Sequence, residues 1–299
     1  MLKRILKQAW RYLPFKLPAL RALRTTTRLP ERVYRHLHFH ADFDVTVAPG
    51  VRFRIRSYAD YIENDLFWAG YAKNWEKVSL AVWRDLCRGT GTVLDVGANT
   101  GVYALAAAAL SPGARVIAFE PVPRVCDRLK ANVALNGSRV MVENVAVSDR
   151  DGVATLHDTD DEHVYSASLD YQMLGNLYSR SYEVPTVGLD SYCVAHGIGR
   201  VDLVKIDVER HEPAVFRGFR HILEESRPTV LVEILDGEIG EAVAEQIAGL
   251  RYVMYEIHEK GTTSGIFATA SLGQSDRNYL LCQPETAKRL GLPEPELIR

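Results

Sequence analysis

The stretch VKIDVERHE, residues 204–212, places Lys205, Asp207, Glu209, Arg210, His211 and Glu212 directly behind an apolar run. A carboxylate at the end of a strand can accept a proton from a substrate hydroxyl. Several together can hold a hard cation through their oxygens. A second acid of this kind, Glu233, ends the apolar run PTVLVEIL. If the strands that carry Asp207 and Glu233 are neighbours, they run about 4.8 Å apart and both acids face one pocket. Two uses then stand open. The two acids share a proton, which leaves one with a raised pKa as a base, or Asp207, Glu209 and Glu233 hold Mg²⁺. Histidine ordinarily changes charge near neutral pH, which makes His211 a further candidate base. Glu212 reads as a helix-opening charge, since an acid at a helix N-terminus gains roughly 0.3–1 kcal/mol. Lys205 alternates with apolar residues and reads as a buried lysine paired with an acid.

A second constellation lies upstream. VLDVGANTGVYAL is a strand, a glycine turn and a helix start. Gly97 and Gly101 permit a tight turn and close approach of a ligand to the backbone. The spacing is neither the dinucleotide GxGxxG nor the phosphate-loop GxxxxGK[ST]. Asp95 puts a carboxylate beside the turn, which suits a cationic or zwitterionic ligand better than a pyrophosphate. Glu120 ends the next strand, VIAFE, where an acid can accept hydrogen bonds from ribose hydroxyls. The pattern asks for a nucleoside without a pyrophosphate, and S-adenosylmethionine meets that demand.

These residues need elements to position them. DFDVTV and VRFRIR alternate around the turn APG and predict a hairpin. NDLFWAGYAKNWEKVSLAVWRDLCRG has helical spacing and ends at Gly89. Strands TVLDVG, RVIAFEP, VMVENVAVS, VDLVKID and PTVLVEIL then alternate with helix-length segments, and RYVMYEIH and NYLLCQP close the chain. EPAVFRGFRHILEE reads as one helix. DGVATLHD reads as an extra extended piece. Such alternation predicts an α/β fold, a mostly parallel sheet with helices on both faces. Ligands of such sheets bind beyond the carboxyl ends of the strands, at the switch point. Residues 158–186 break the rhythm and hold Tyr165, Tyr171, Tyr178 and Tyr182, aromatics that suit the flank of a sugar pocket or the packing of an inserted hairpin.

The chain has 299 residues and a net charge of −2, which argues against a general nucleic-acid binder. The balance hides an asymmetry. Residues 1–40 carry ten Lys/Arg and the single acid Glu31. This basic, partly helical arm suits either peripheral contact with an anionic membrane face or packing on the main domain, residues 41–299. Pro14, Lys16 and Pro18 interrupt its apolar runs, so no secretory signal is expected. Cys87, Cys126, Cys193 and Cys282 are far apart, which fits a reducing cytoplasm and no zinc site.

The blocks VLDVGANTGVYAL, VIAFEPVP, ENVAVSDRDG, LDSY, VDLVKIDVERHEPAVFRGF and RPTVLVEI resemble, in order and spacing, the FkbM family of class I S-adenosylmethionine-dependent methyltransferases. NWEKVSLAVW resembles that family's segment with a glutamate shortly before the first strand. The resemblance implies a Rossmann-like fold with a seven-stranded sheet and a cofactor half at about residues 75–150. It implies that Asp95, Gly97, Asn99 and Gly101 line the methionine end of the cofactor, that Glu120 binds the ribose, and that Asn144, Val145 and Ala146 lie near adenine. It also implies O-methylation of a sugar, glycan or related natural product, with ties to polysaccharide biosynthesis. One departure stands out: the family has glycine after KIDVE, and this chain has Arg210. Two other classes remain open on sequence grounds: a nicotinamide-dependent oxidoreductase on the same fold, and a non-catalytic S-adenosylmethionine-binding module disabled by Arg210.

Overall fold

The computed structural model describes residues 16–137, 140–158, 169, 180–260, 264–274 and 276–293. Tyr165, Tyr171, Tyr178 and the first 15 residues of the basic arm lie outside them. Helices α1 (Lys16–Thr26) and α2 (Glu31–Tyr34) lead into the expected hairpin, β1 (His40–Ala48) and β2 (Val51–Tyr58). Its strands alternate as their sequence does. Phe43, Val45, Phe53 and Ile55 are buried, while Asp42, Arg54 and Arg56 on the other face pair with one another or with Asp44. Leu20 and Tyr34 enter the same core as Phe39, Phe43 and Phe67, so the described part of the arm packs on the body.

The long helix expected next is broken into α3 (Tyr61–Trp68) and α4 (Lys77–Leu86). Gly70, Ala72 and Glu76 between them all have positive φ, at 96°, 55° and 41°. Buried Asp65 of α3 holds this connection: it accepts from Tyr34 Oη at 2.6 Å, Asn74 Nδ2 at 2.7 Å and the Trp75 N–H at 2.9 Å.

The alternating half follows: β3 (Thr92–Val96), α5 (Val102–Leu110), β4 (Arg115–Phe119), α6 (Pro123–Leu135), β5 (Met141–Glu143), β6 (Ala146–Val147), β7 (Gly152–Asp158), β8 (Arg180–Val187), α7 (Leu189–Ala195) and β9 (Leu203–Ile206). Then come α8 (Glu212–Arg217), α9 (Arg220–Glu225), β10 (Thr229–Glu233), α10 (Gly237–Ile247), β11 (Val253–His258), β12 (Gly265–Thr269), β13 (Asn278–Cys282) and α11 (Pro284–Arg289). The main sheet runs β12-β11-β13-β10-β9-β3-β4-β5. Its five strands from β10 to β5 are parallel, and β13 runs antiparallel to both its neighbours.

The sheet therefore has eight strands where seven were expected. The addition is β12, antiparallel to β11 at the edge, with half-exposed residues and no apolar run to announce it. VMVENVAVS, expected as one strand, divides at Asn144-Val145 into β5 and β6, and β6 joins β7 and β8 in a separate three-stranded sheet. EPAVFRGFRHILEE divides into α8 and α9 around Gly218. That residue packs so closely that a β-carbon would lie 2.1 Å from the Ser148 carbonyl oxygen.

One latch ties the hairpin to the cofactor-side half. Asn132 of α6 and Asn136, its C-cap residue, accept from the backbone N–H groups of Arg56 at 2.9 Å and Arg54 at 2.6 Å. Asn136 Nδ2 donates to the Arg54 carbonyl at 2.7 Å, and Asn132 Nδ2 to the Thr100 carbonyl at 2.9 Å.

Helix α3 also buries Glu63 completely. Burial pushes its carboxyl up to about 7, from an ordinary 4.5. A carboxyl with a raised folded pKa binds more protons folded than unfolded between those values, so it costs stability as pH rises through them. Glu63→Gln is therefore expected to exceed the wild type in stability by about 3 kcal/mol above pH 7, with the gain gone below pH 4.5. Urea unfolding at pH 4.5 and pH 8 checks this, and equal gains at both would refute it.

Candidate active site

The strand order reverses between β3 and β9, and a cleft opens at the carboxyl ends there. Its floor is the turn from Val96 to Gly101. Gly97 has φ +78° and its N–H, with that of Ala98, donates to the Phe119 carbonyl at 3.0 Å. A β-carbon on Gly97 would lie 1.8 Å from the Asp207 carbonyl oxygen, so only glycine lets the β3 and β9 termini meet. Asn99, also left-handed at φ +50°, gives its N–H to Glu120 Oε2 at 2.9 Å. Gly101, at φ +95°, opens α5 and clears space for Leu129, whose Cδ1 a β-carbon would approach to 2.4 Å.

The sequence candidates converge here with two exceptions. Asp95, Gly97, Asn99, Glu120, Val145, Ala146, Asp207, Glu209, His211 and Glu233 all line the cleft. Gly101 is a packing position beneath it. The Asn144 amide turns back to donate to the carbonyls of Glu120 at 2.8 Å and Pro121 at 3.0 Å, which fixes the loop behind the cleft. Tyr182, the one described tyrosine of the irregular segment, donates to Asp158 at 3.4 Å away from the cleft lining.

At one end, buried Glu120 accepts from the N–H groups of Asn99 and Val122, both at 2.9 Å. Burial pushes its carboxyl up to about 7 against those two donors. Apolar walls from Val125, Val145 and Leu156 stand beside it. At the other end the acids gather. The strands β9 and β10 are parallel neighbours, with Ile206 opposite Val232. Asp207 and Glu233 thus project side by side. Burial first, then the charge of Asp207 and a hydrogen bond to it, push Glu233 up to about 10. Burial pushes Glu209 up to about 7. Oxygen atoms of Asp207, Glu209 and Glu233 lie within 4.8 Å of one another.

Lys205 anchors this acidic end. It is fully buried, sits opposite Asp95 across the β3–β9 pair, and places Nζ 3.5 Å from Asp207 Oδ2 and 5.4 Å from the Tyr103 ring centre. Asp95 itself is buried and accepts from the Ala104 N–H at 2.8 Å. His211 is the N-cap residue of α8, with Nε2 3.0 Å from Ser148 Oγ. Glu212 faces inward rather than toward solvent and accepts from the N–H groups of Val208 and Arg210 at 3.4 and 3.3 Å.

Arg210 has φ +78° and follows Glu209 at φ +50°. The backbone conformation is the one a glycine would supply. The guanidinium is drawn off to Asp236, the N-cap residue of α10, and does not line the cleft. Trp75 and Glu76, from the block NWEKVSLAVW whose glutamate the resemblance marks, line the cleft from the α3–α4 connection.

No phosphate cradle is present in this turn. A buried acid, an apolar wall and an anionic far end form a lining that fits S-adenosylmethionine. Fold and cleft define a class I S-adenosylmethionine-dependent methyltransferase. Residues 95–261 match the Methyltransferase FkbM domain, and the chain belongs to that family. This sets aside the nicotinamide-dependent oxidoreductase.

Among curated relatives, the chain is 31% identical over 179 residues to the 31-O-demethyl-FK506 methyltransferase FkbM of Streptomyces tacrolimicus, covering 51% of this chain and 69% of that protein. It is 30% identical over 163 residues to the 2-O-methyltransferase NoeI of Sinorhizobium fredii, covering 50% of this chain and 65% of the relative. The match to the AMB antimetabolite synthetase AmbE of Pseudomonas aeruginosa is 27% identical and spans 9% of that protein. A solved methyltransferase FkbM from Methylobacillus flagellatus KT aligns over 71% of this chain and 48% of its own, with a TM-score of 0.44 and 14% identity. Among the described residues no helix is long and apolar enough to cross a membrane.

Proposed function

We propose that the enzyme methylates a hydroxyl oxygen of a sugar, glycan or related small-molecule natural product. The carrying observation is the Asp207–Glu233 pair beside the cofactor turn, with Lys205 as its buried counter-cation. Oxygen acceptors are named in the relatives 31-O-demethyl-FK506 methyltransferase and 2-O-methyltransferase, which supports the reading. When bound, S-adenosylmethionine supplies the electrophilic methyl carbon. The chain supplies orientation and a proton acceptor. Glu120 holds the ribose hydroxyls, and the Gly97–Gly101 turn carries the methionine end. Val145 and Ala146 flank the adenine. Asp207 accepts the acceptor's hydroxyl proton, which makes that oxygen nucleophilic. Glu233 keeps its own proton, so the pair carries one charge where two would repel. His211, tied to Ser148, orients the acceptor side of the cleft.

A second reading is favoured by the close set of carboxylate oxygens: Asp207, Glu209 and Glu233 would hold Mg²⁺, which would lower the pKa of the acceptor hydroxyl. The test is methyl transfer from radiolabelled S-adenosylmethionine to a panel of methyl glycosides, nucleoside-diphosphate sugars and polyketide alcohols, with and without EDTA. Transfer that survives EDTA supports the shared-proton base, and transfer lost to EDTA and restored by Mg²⁺ supports the metal. No transfer to any oxygen acceptor, with transfer to an amine or thiol instead, would sink the proposal.

Glu120 gives a separate expectation. Hydrogen bonds to a charged group are worth about 1.5–3 kcal/mol, so Glu120→Gln should weaken S-adenosylhomocysteine roughly 10-fold to 100-fold. Isothermal titration measures this directly, and an unchanged affinity would remove Glu120 from the ribose.

A further inference from the structure

The basic arm has no part in the chemistry proposed above. Residues 1–40 hold ten of the 36 Lys/Arg and one of the 38 Asp/Glu, which leaves 26 against 37 for residues 41–299. A cationic arm thus sits on an anionic body. The described part of the arm is fixed from within. Leu20 and Tyr34 are buried, Leu17, Leu29 and Leu37 pack on the same core, and Arg24 lies 5.2 Å over the Phe67 ring. The remaining side chains are therefore held outward by a packed scaffold.

Arg28 precedes α2, Arg32 is in it, and Arg35 is its C-cap residue. All three are exposed, and none forms an ion pair with an acid among the described residues. The hairpin treats its arginines differently, since Arg54 and Arg56 reach Asp44 and Asp42 at 3.0 and 2.6 Å. Like charges left together repel one another, and an anion from outside relieves that repulsion.

Apolar side chains lie among these cations. Leu23 of α1, Val33 of α2 and Tyr61 of α3, which stands beside Glu31, are exposed. They are three of the six large apolar side chains so exposed among the described residues, so this region concentrates them. The mixture separates the candidate anions. A nucleic-acid backbone is met by cations and polar groups, and exposed leucine and valine gain nothing there. A bilayer interface takes both kinds, with arginine at anionic headgroups and apolar side chains at the acyl boundary. Residues 1–15 continue the pattern in sequence, with Lys3, Lys7 and Arg11 among Leu2, Ile5 and Leu6.

We propose that the arm docks the enzyme on a lipid surface with anionic headgroups, through Arg28, Arg32 and Arg35 together with Leu23, Val33 and Tyr61. The potential of such a surface attracts the arm and repels the body, which sets the orientation. Co-sedimentation of the full chain with vesicles tests this, using phosphatidylcholine alone and phosphatidylcholine mixed with phosphatidylglycerol. The expected result is binding to the mixed vesicles that weakens as salt rises. Each basic residue near an anionic surface contributes about fivefold in affinity, so Arg28→Gln, Arg32→Gln and Arg35→Gln together should cost roughly 100-fold. Leu23→Ser with Val33→Ser should cost severalfold and leave the salt dependence as it is. Equal binding to both vesicle types, no binding to the mixed ones, or a triple variant that binds as the wild type does would each overturn the proposal. The melting temperature of the triple variant should match the wild type, because its three arginines hold no ion pair; should it not fold, the Leu23 and Val33 pair decides. A single-stranded oligonucleotide is the competing polyanion. Weaker binding to it than to mixed vesicles supports the lipid surface, and tighter binding overturns it in favour of nucleic acid.

Discussion

Asp207→Asn is expected to lower kcat by roughly 10²–10⁴-fold, the usual contribution of a positioned general base, while S-adenosylhomocysteine affinity stays within about threefold. Asparagine keeps the side-chain size, and the backbone bond from the residue 207 N–H to the Val96 carbonyl, at 2.9 Å, is untouched. What disappears is the charge that faces Lys205 and the proton sink beside the acceptor. The variant also removes the neighbour that helps push Glu233 up to about 10. Glu233 therefore ionises more easily in the variant and supplies part of the missing negative charge, from a position displaced by one strand. The residual rate should accordingly rise with pH more steeply than that of the wild type. Initial rates of methyl transfer at saturating acceptor, between pH 6 and 10, give both numbers. A kcat within about fivefold of the wild type would transfer the base role to another group, and His211 is the first to test.

Gly97→Ala should be the most damaging small substitution in the cleft. Two costs combine. A left-handed residue with a β-carbon loses about 1–2 kcal/mol, and an extra methyl in a packed site costs about 1–3 kcal/mol. Here the intruding carbon meets the Asp207 carbonyl, which belongs to the backbone and has no rotamer to escape into. The β3 and β9 ends must part, and they carry the cofactor turn and the base. We expect a destabilisation of about 2–5 kcal/mol and loss of the thermal shift with S-adenosylhomocysteine. Gly89→Ala is the control. It has nearly the same φ, +76°, but nothing within 4 Å of the added carbon, so only the conformational cost applies. Equal melting temperatures for the two variants would show that the close approach to Asp207 carries no weight.

Much of this was legible in the sequence because the strands are short apolar runs that end in acids. The Asp95, Glu120, Asp207 and Glu233 positions each close such a run, and the parallel order places their ends on one edge. The expectation that position 210 suits glycine was also legible, and the φ of +78° gives its physical reason. The failures share a cause too. The break between α3 and α4 depends on Ala72 and Glu76 adopting left-handed backbone, which helical spacing does not register. The block NWEKVSLAVW marked the glutamate at position 76 by resemblance, but not its bond to Tyr103, 27 residues away. The Asn144 side chain, expected near adenine, serves two carbonyls that exist only once β4 has ended. Strand β12 has exposed, mixed residues and is defined by its pairing with β11 alone.

The asparagine latch on β2 has a consequence outside catalysis. A two-stranded hairpin outside the main sheet exposes a row of unpaired backbone donors and acceptors, the template on which another chain can add a strand. Here the amides of Asn132 and Asn136 already occupy the Arg54 and Arg56 groups on that row. At these two residues the outer edge of β2 is thereby occupied by side chains of α6 and its C-cap instead of by a third strand. That occupancy works against the addition of another strand along the arginine-rich β2.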